Sequence, residues 1–224
     1  ILVGDCAGFI VNRILLPYLN EAAFILQQGS KIEKIDNIIK DFGMPMGPFT
    51  LADTVGVDIG YKVATILNES YGSRMPIASI IEKMYNAKLL GKKTKAGFYE
   101  YAGRDTYPNS HVTSMLENNN KIIEDEEIVQ RCIYIMINEA SRCLEENIVT
   151  DASIIDFAMI SGTGFPAYKG GLLNYANEIG LKNILESLRK FEKEYGSRFT
   201  PSNLLIKLVE EYEDFETGEA LWKH

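Results

Sequence analysis

The chain has 224 residues, 46% of them hydrophobic and 24% charged, enough for one large globular domain or two small ones. A net charge of −8 argues against a nucleic-acid surface, which needs a basic stripe, but is compatible with an anionic small molecule bound by local charge. No apolar run approaches the roughly 20 residues of a membrane span, and no signal-peptide pattern opens the chain.

Ile1-Leu2-Val3 reads as the end of a β-strand with no strand before it and no initiating Met, so a piece of a longer protein is expected. After Gly8, apolar residues recur at helical spacing through Ile14, Leu15, Tyr18, Leu19, Ala22, Ile25 and Leu26. Pro17 is expected near the first turn, where proline is tolerated, and Gly29 ends the helix. Ser30 to Glu33 reads as a capping box for a second helix, which Gly43 stops. Pro48 opens a short third helix, a fourth runs from about Val57 to Leu67, and Pro76 opens a fifth. Phe98 to Tyr101 is one extended piece. Residues 102–124, rich in Gly, Pro, Ser and Asn, read as a linker. Beyond it, helices are expected over about Glu126–Glu146, after Asp151 as N-cap, and over Leu181–Phe191 and Pro201–Val209. No βαβ alternation is present, so a parallel sheet is not expected.

The second half restates the first. Asn20-Glu21-Ala22 recurs as Asn138-Glu139-Ala140, and Asp36 with Gly43-Met44-Pro45 recurs as Asp156 with Gly164-Phe165-Pro166. Leu51-Ala52-Asp53 pairs with Leu172-Leu173-Asn174, and Tyr71-Gly72-Ser73-Arg74 returns unchanged as Tyr195-Gly196-Ser197-Arg198. The anchors keep one order at offsets of 118, 120, 121, 121 and 124 residues. That period is domain-sized, too long for a solenoid unit of about 20–50 residues, and indicates a duplicated domain. Two copies in one chain can pack by the pseudo-twofold logic of an isologous dimer. The expected fold is therefore all-α: a first copy over residues 1–101, a linker over 102–124 and a second copy over 125–224, packed as a pseudo-dimer.

Few residues offer chemistry. His111 lies in the linker and His224 is the last residue, so neither is expected as a base or ligand. No HExxH, CxxC or calcium loop is present, so no metal site is expected. No GxGxxG or GxSxG occurs either. Cys132 and Cys143, eleven apart, share a helix face as small buried hydrophobes, and with Cys6 they point to a reducing compartment. Glu21 and Glu139 read as satisfied polar groups between the copies, while Arg13 and Arg131 are expected to anchor helix ends or loops. The two Tyr-Gly-Ser-Arg segments read as helix ends. Lys92 and Lys93 read as a solvated face, with contact to ligand phosphates the less favoured alternative.

The ordered series Asp5-Cys6-Ala7-Gly8-Phe9-Ile10-Val11-Asn12-Arg13, Pro17-Tyr18-Leu19-Asn20-Glu21-Ala22, Gly43-Met44-Pro45-Met46-Gly47-Pro48, Gly91-Lys92-Lys93-Thr94 and Gly97-Phe98-Tyr99 resembles the C-terminal domain of the L-3-hydroxyacyl-CoA dehydrogenases. The second copy, with Asn138-Glu139-Ala140, Arg142 to Glu146, Gly164-Phe165-Pro166 and Gly170-Gly171, resembles the second such domain of multifunctional β-oxidation enzymes. The likeness covers residues 1–210. It implies a preceding Rossmann domain that binds NAD and supplies a His–Glu pair, and oxidation of a 3-hydroxyacyl-CoA to a 3-ketoacyl-CoA. The histidine would take the hydroxyl proton while hydride leaves C3 for the nicotinamide. Ile1-Leu2-Val3 would then be the end of the last Rossmann strand.

By the same resemblance Asn12 contacts substrate near its reacting oxygen, a role a carboxamide donor suits. The plain alternative for Asn12 is a helix N-cap. Ser161, where some relatives carry tyrosine, is the second substrate-contact position. Lys95 stands where relatives usually have glycine, so a turn that prefers positive φ is in question. The resemblance further implies an acyl-CoA substrate and a thiolase subunit as candidate partner; Trp222-Lys223-His224 is not a peroxisomal ending, so a cytoplasmic bacterial enzyme is expected. Two other readings stay open: a purely structural docking module, and a dehydrogenase of 3-hydroxyacids without CoA.

Overall fold

The computed structural model describes residues 4–117, 119, 121–212, 214–218 and 221. The strand expected at Ile1-Leu2-Val3 and the terminal His224 lie outside the described residues. The first half runs α1 (Phe9–Gln27), α2 (Ile32–Phe42), α3 (Pro48–Val55), α4 (Val57–Tyr71) and α5 (Ser79–Asn86). An antiparallel hairpin follows, β1 (Tyr99–Ala102) and β2 (Asp105–Pro108), with Tyr99 opposite Pro108, and then the short α6 (Ser110–Ser114). The second half repeats the helical series as α7 (Asp125–Glu145), α8 (Ala152–Thr163), α9 (Leu172–Ile179), α10 (Leu181–Tyr195) and α11 (Asn203–Glu211).

α1 and α7 form the centre. Ile14, Tyr18, Ala22 and Ile25 of α1 and Ile128, Cys132, Met136 and Ala140 of α7 are all fully buried. Cys132 and Cys143 are buried free thiols, as their spacing suggested. By length and composition α1 would reach across a membrane, which corrects the expectation that no run comes near that length. More than half of its apolar window is buried inside the fold, and Arg13 and Glu21 are fully buried within it, so it serves as a core helix.

Several helix starts differ from expectation. Pro17 is the ninth residue of α1, well inside the helix. Because proline has no N–H, α1 goes without the hydrogen bond to the Arg13 carbonyl. The capping box at Ser30 is absent: Ser30 N–H still closes the end of α1 on Ile25 O, and α2 starts one residue late with Lys31 as N-cap. α5 begins at Ser79 rather than Pro76, and α11 at Asn203 rather than Pro201. The reason is the same in both copies. The Asn20 carboxamide donates to Pro76 O and accepts from Ala78 N–H (2.8 Å), and Asn138 donates to Thr200 O (2.9 Å) and accepts from Ser202 N–H (2.8 Å). Each asparagine holds the approaching chain extended for one turn. Residues 102–124 also carry more order than a turn-rich linker suggests, since β2 and α6 lie there and His111 sits within α6. Asn109 organises this stretch by donating to Gly97 O (2.8 Å) and capping α6 at His111 N–H (2.9 Å).

The duplication extends to individual hydrogen bonds. The buried Asp36 carboxylate accepts from Phe49 and Thr50 N–H (2.8 and 3.0 Å) at the start of α3. Asp156 accepts from Leu173 and Asn174 N–H (2.6 and 3.1 Å) at the start of α9. These contacts equate Phe49 with Leu173, an offset of 124. The pairing of Leu51-Ala52-Asp53 with Leu172-Leu173-Asn174 is thus three residues out of register, because the second copy inserts the 3-10 turn Ala167–Lys169. In the corrected register Asp53 aligns with Asn177. Asp53 accepts from Phe98 N–H (2.9 Å) and Asn177 from Phe215 N–H (3.0 Å).

Candidate functional site

The two halves are joined by reciprocal buried ion pairs. Arg13 of α1 donates from Nε to Glu139 of α7 (2.8 Å), and Arg131 of α7 donates from Nε to Glu21 of α1 (2.8 Å). Each glutamate takes a second arginine from the Tyr-Gly-Ser-Arg segment of the opposite copy to its own helix. Arg198 Nε lies 2.6 Å from Glu21, and Arg74 Nη2 lies 3.3 Å from Glu139. Arg13 also covers the Tyr71 ring at 4.6 Å and Arg131 the Tyr195 ring at 3.8 Å. Glu21 and Glu139 are therefore satisfied polar groups between the copies, as their matched positions suggested. Arg13 and Arg131 hold helix ends, as expected: Arg13 covers Tyr71, the last residue of α4, and reaches Glu146 at the end of α7 (2.8 Å), and Arg131 covers Tyr195, the last residue of α10. Both arginines lie inside α1 and α7, fully buried, and act across the interface. The two repeated tetrapeptides do end helices α4 and α10, and their arginines complete the clusters.

Beside this clamp, α1, α3, α4 and α5 enclose a solvent-open cleft of about 860 Å³. Its base includes Phe49 and Phe98, both buried, with ring centroids 4.4 Å apart. Two carboxylates place these rings. Asp36 accepts from Phe49 N–H, and Asp53 accepts from Phe98 and Tyr99 N–H and the Tyr101 hydroxyl, all at 2.9 Å. Burial raises Asp53 to about 6, with its backbone hydrogen bonds from Tyr99 and Phe98 opposing. Burial likewise raises Asp36 against the hydrogen bonds from Thr50 and Phe49. Gly97 is required here because a Cβ would overlap the Asp53 carboxylate.

The cleft is otherwise aliphatic, and Val55 and Ile59 on its lining are about half exposed, at 47% and 48%. Two polar side chains line it, Asn12 and Asn20. Asn20 is committed to Pro76 and Ala78. Asn12 is the fourth residue of α1 and exposed, and its carboxamide has no hydrogen-bond partner among the described residues. The N-cap of α1 is Gly8, so the plain alternative for Asn12 is set aside. Ser161 is exposed on the last turn of α8 and is not among the lining residues of the cleft. Its neighbour Gly162 packs closely on Val11, so α8 reaches α1 one residue from Asn12 without placing Ser161 in the same cleft. Lys92 and Lys93 are exposed, and Lys93 is engaged by Asp58. Lys95 takes φ 59°, so the turn expected to favour glycine is kept with a lysine in the left-handed region.

The apolar cleft itself was not anticipated from the sequence. Its one legible signal is Gly60, a glycine in the interior of α4 that ends no helix and forms no turn.

A family model described as the 3-hydroxyacyl-CoA dehydrogenase C-terminal domain matches the chain over residues 8–101 and again over 128–218. The chain is 41% identical over 209 residues to the fatty acid oxidation complex subunit alpha of Vibrio cholerae, a match covering 92% of this chain and 29% of that protein. It is 40% identical over 213 residues to the subunit of the same name from Idiomarina loihiensis, covering 94% of this chain and 30% of that protein. The chain thus spans less than a third of the length of these relatives. Among solved structures, the dehydrogenase part of multifunctional enzyme 1 from C. elegans matches with a TM-score of 0.69 at 27% identity, over 92% of this chain and 48% of that one. The 3-hydroxybutyryl-CoA dehydrogenase of Escherichia coli K12 matches with a TM-score of 0.76 at 21% identity, over 92% of this chain and 60% of that one, which is a likeness of fold. With two family-model matches in tandem and a fold shared with these structures, the chain belongs to the 3-hydroxyacyl-CoA dehydrogenase C-terminal domain family.

Proposed function

We propose that this chain is the substrate side of an NAD-dependent L-3-hydroxyacyl-CoA dehydrogenase of fatty-acid β-oxidation, which converts a 3-hydroxyacyl-CoA to a 3-ketoacyl-CoA. The observation that carries the reading is the cleft: an aliphatic lining with one polar side chain, Asn12, free to bond a ligand. An acyl chain gains by leaving water for such a surface. The Asn12 carboxamide can donate to the substrate oxygen at C3 and hold it in one orientation, most strongly as that oxygen gains charge. Ser161 is proposed as an outer contact to the substrate.

The residues of the cleft do not fit a dinucleotide, since the lining offers neither a glycine-rich phosphate loop nor a basic side chain. NAD and the base that takes the hydroxyl proton are therefore assigned to a Rossmann domain preceding this chain. Residues 1–101 and 125–224 act as the two copies, with 102–124 between them and the second copy standing where a dimer partner would. The relatives' names, as alpha subunits of a complex, support a partner subunit; we take that partner to be a thiolase and the setting to be the bacterial cytoplasm.

Assay of NAD reduction with 3-hydroxybutyryl-CoA tests the reading. The full-length protein is expected to turn over, and residues 1–224 alone are not. Hydride transfer by the isolated 1–224 chain, or none by the full-length protein, overturns it.

A further inference from the structure

The duplication supplies an internal comparison for the cleft. α4 (Val57–Tyr71) and α10 (Leu181–Tyr195) are both fifteen residues long, each preceded by a glycine and followed by Gly-Ser-Arg, so their register is fixed. In that register Gly60 aligns with Ile184 and Ala64 with Leu188. Gly60 and Ala64 line the cleft, and a Cβ added at Gly60 would meet nothing within 4 Å. Ile184 and Leu188 are both fully buried and fill the matching space of the second copy with core. The same helix is thus carved open in one copy and packed shut in the other.

A glycine inside a helix is destabilising, and open space in front of it forfeits packing as well. No turn, cap or close backbone approach at Gly60 offsets either loss. We infer that Gly60 and Ala64 are specificity-determining residues: they keep the cleft deep enough for a long acyl chain, and larger side chains there would set a shorter upper limit. The inference rests on the dehydrogenase reading and adds to it the residues that set the upper limit on acyl-chain length.

The test copies the second copy into the first. In the full-length protein, Gly60→Ile and Ala64→Leu are made singly and together, and kcat/KM is measured for 3-hydroxybutyryl-CoA and 3-hydroxyhexadecanoyl-CoA. The expected result is that the ratio of kcat/KM for the long substrate to that for the short one falls at least about tenfold. Ala64→Leu exchanges two strong helix formers, so it keeps the test sound should Gly60→Ile fold poorly; thermal melting checks both. Equal losses for the two substrates, or an unchanged long-chain rate in the double variant, overturn the inference. Wild-type protein that oxidises neither substrate overturns the dehydrogenase reading itself, and this inference with it.

Discussion

Replacing Glu21 with leucine should be among the most damaging single substitutions in the chain. Glu21 is fully buried and holds two arginines of the other copy, Arg131 through Nε and Nη2 and Arg198 through Nε at 2.6 Å. Leucine removes the carboxylate and leaves the fully buried Arg131 with the Gln28 side chain (2.7 Å) and the more distant Glu127 (3.6 Å). Breaking a buried pair by deleting one partner costs about 3–5 kcal/mol, because the other charge stays desolvated. At about 2–4 °C per kcal/mol for a chain of this size, the melting temperature should fall by roughly 6–20 °C. Circular dichroism melts and urea titrations at low and high salt measure it. Because the pair is buried, the loss should persist at high salt, where surface pairs are screened. The pseudo-symmetric change Glu139→Leu should cost a similar amount. A loss below about 1 kcal/mol, or one that vanishes in salt, would mark these contacts as surface-like and refute the reasoning.

Other outcomes follow from single residues. Gly97→Ala should cost at least about 2 kcal/mol, since the new Cβ would overlap the buried Asp53 carboxylate; urea midpoints read it. Lys95→Gly should gain up to about 1 kcal/mol by relieving a left-handed lysine at φ 59°, and a lower midpoint would contradict the turn geometry. Asp53 and Asp156 are both raised from 3.8 to about 6, chiefly by burial, so between those values the folded chain binds protons that the unfolded chain does not. Their contribution is full below about pH 4 and is lost as pH rises through about 6, and carboxyl carbon NMR should place both midpoints near 6. Midpoints below 3.8 would reverse the sign of that pH dependence.

Much of this fold is legible from short-range pattern. Gly29 and Gly43 end helices, Pro48 opens one, Asp151 caps one, and the apolar spacing of α1 and α7 marks the central pair. The features that escape are set by distant partners. The late starts of α5 and α11 depend on Asn20 and Asn138, which lie more than fifty residues away. The three-residue register error at Asp53 arises because Ala167–Lys169 forms an inserted turn, visible only once Asp36 and Asp156 are seen capping α3 and α9. The full burial of Arg13 and Arg131 escapes as well, because arginine is rarely fully buried without a partner and each partner sits in the other copy. The site is harder still to read. Asn12 was reachable through its family motif, but the cleft is a lack of volume at Gly60 and Ala64, and small residues in a helix carry no periodic signal.

The most direct test of the central claim is the effect of Asn12→Ala in the full-length protein. Asn12 is exposed, caps no helix and its carboxamide bonds to no described residue, so its loss should leave the melting temperature within about a degree or two. If its carboxamide holds the reacting oxygen, kcat for 3-hydroxybutyryl-CoA oxidation should fall by roughly 10²-fold. An unchanged kcat would contradict the account and leave the chain a docking module with no part in the chemistry.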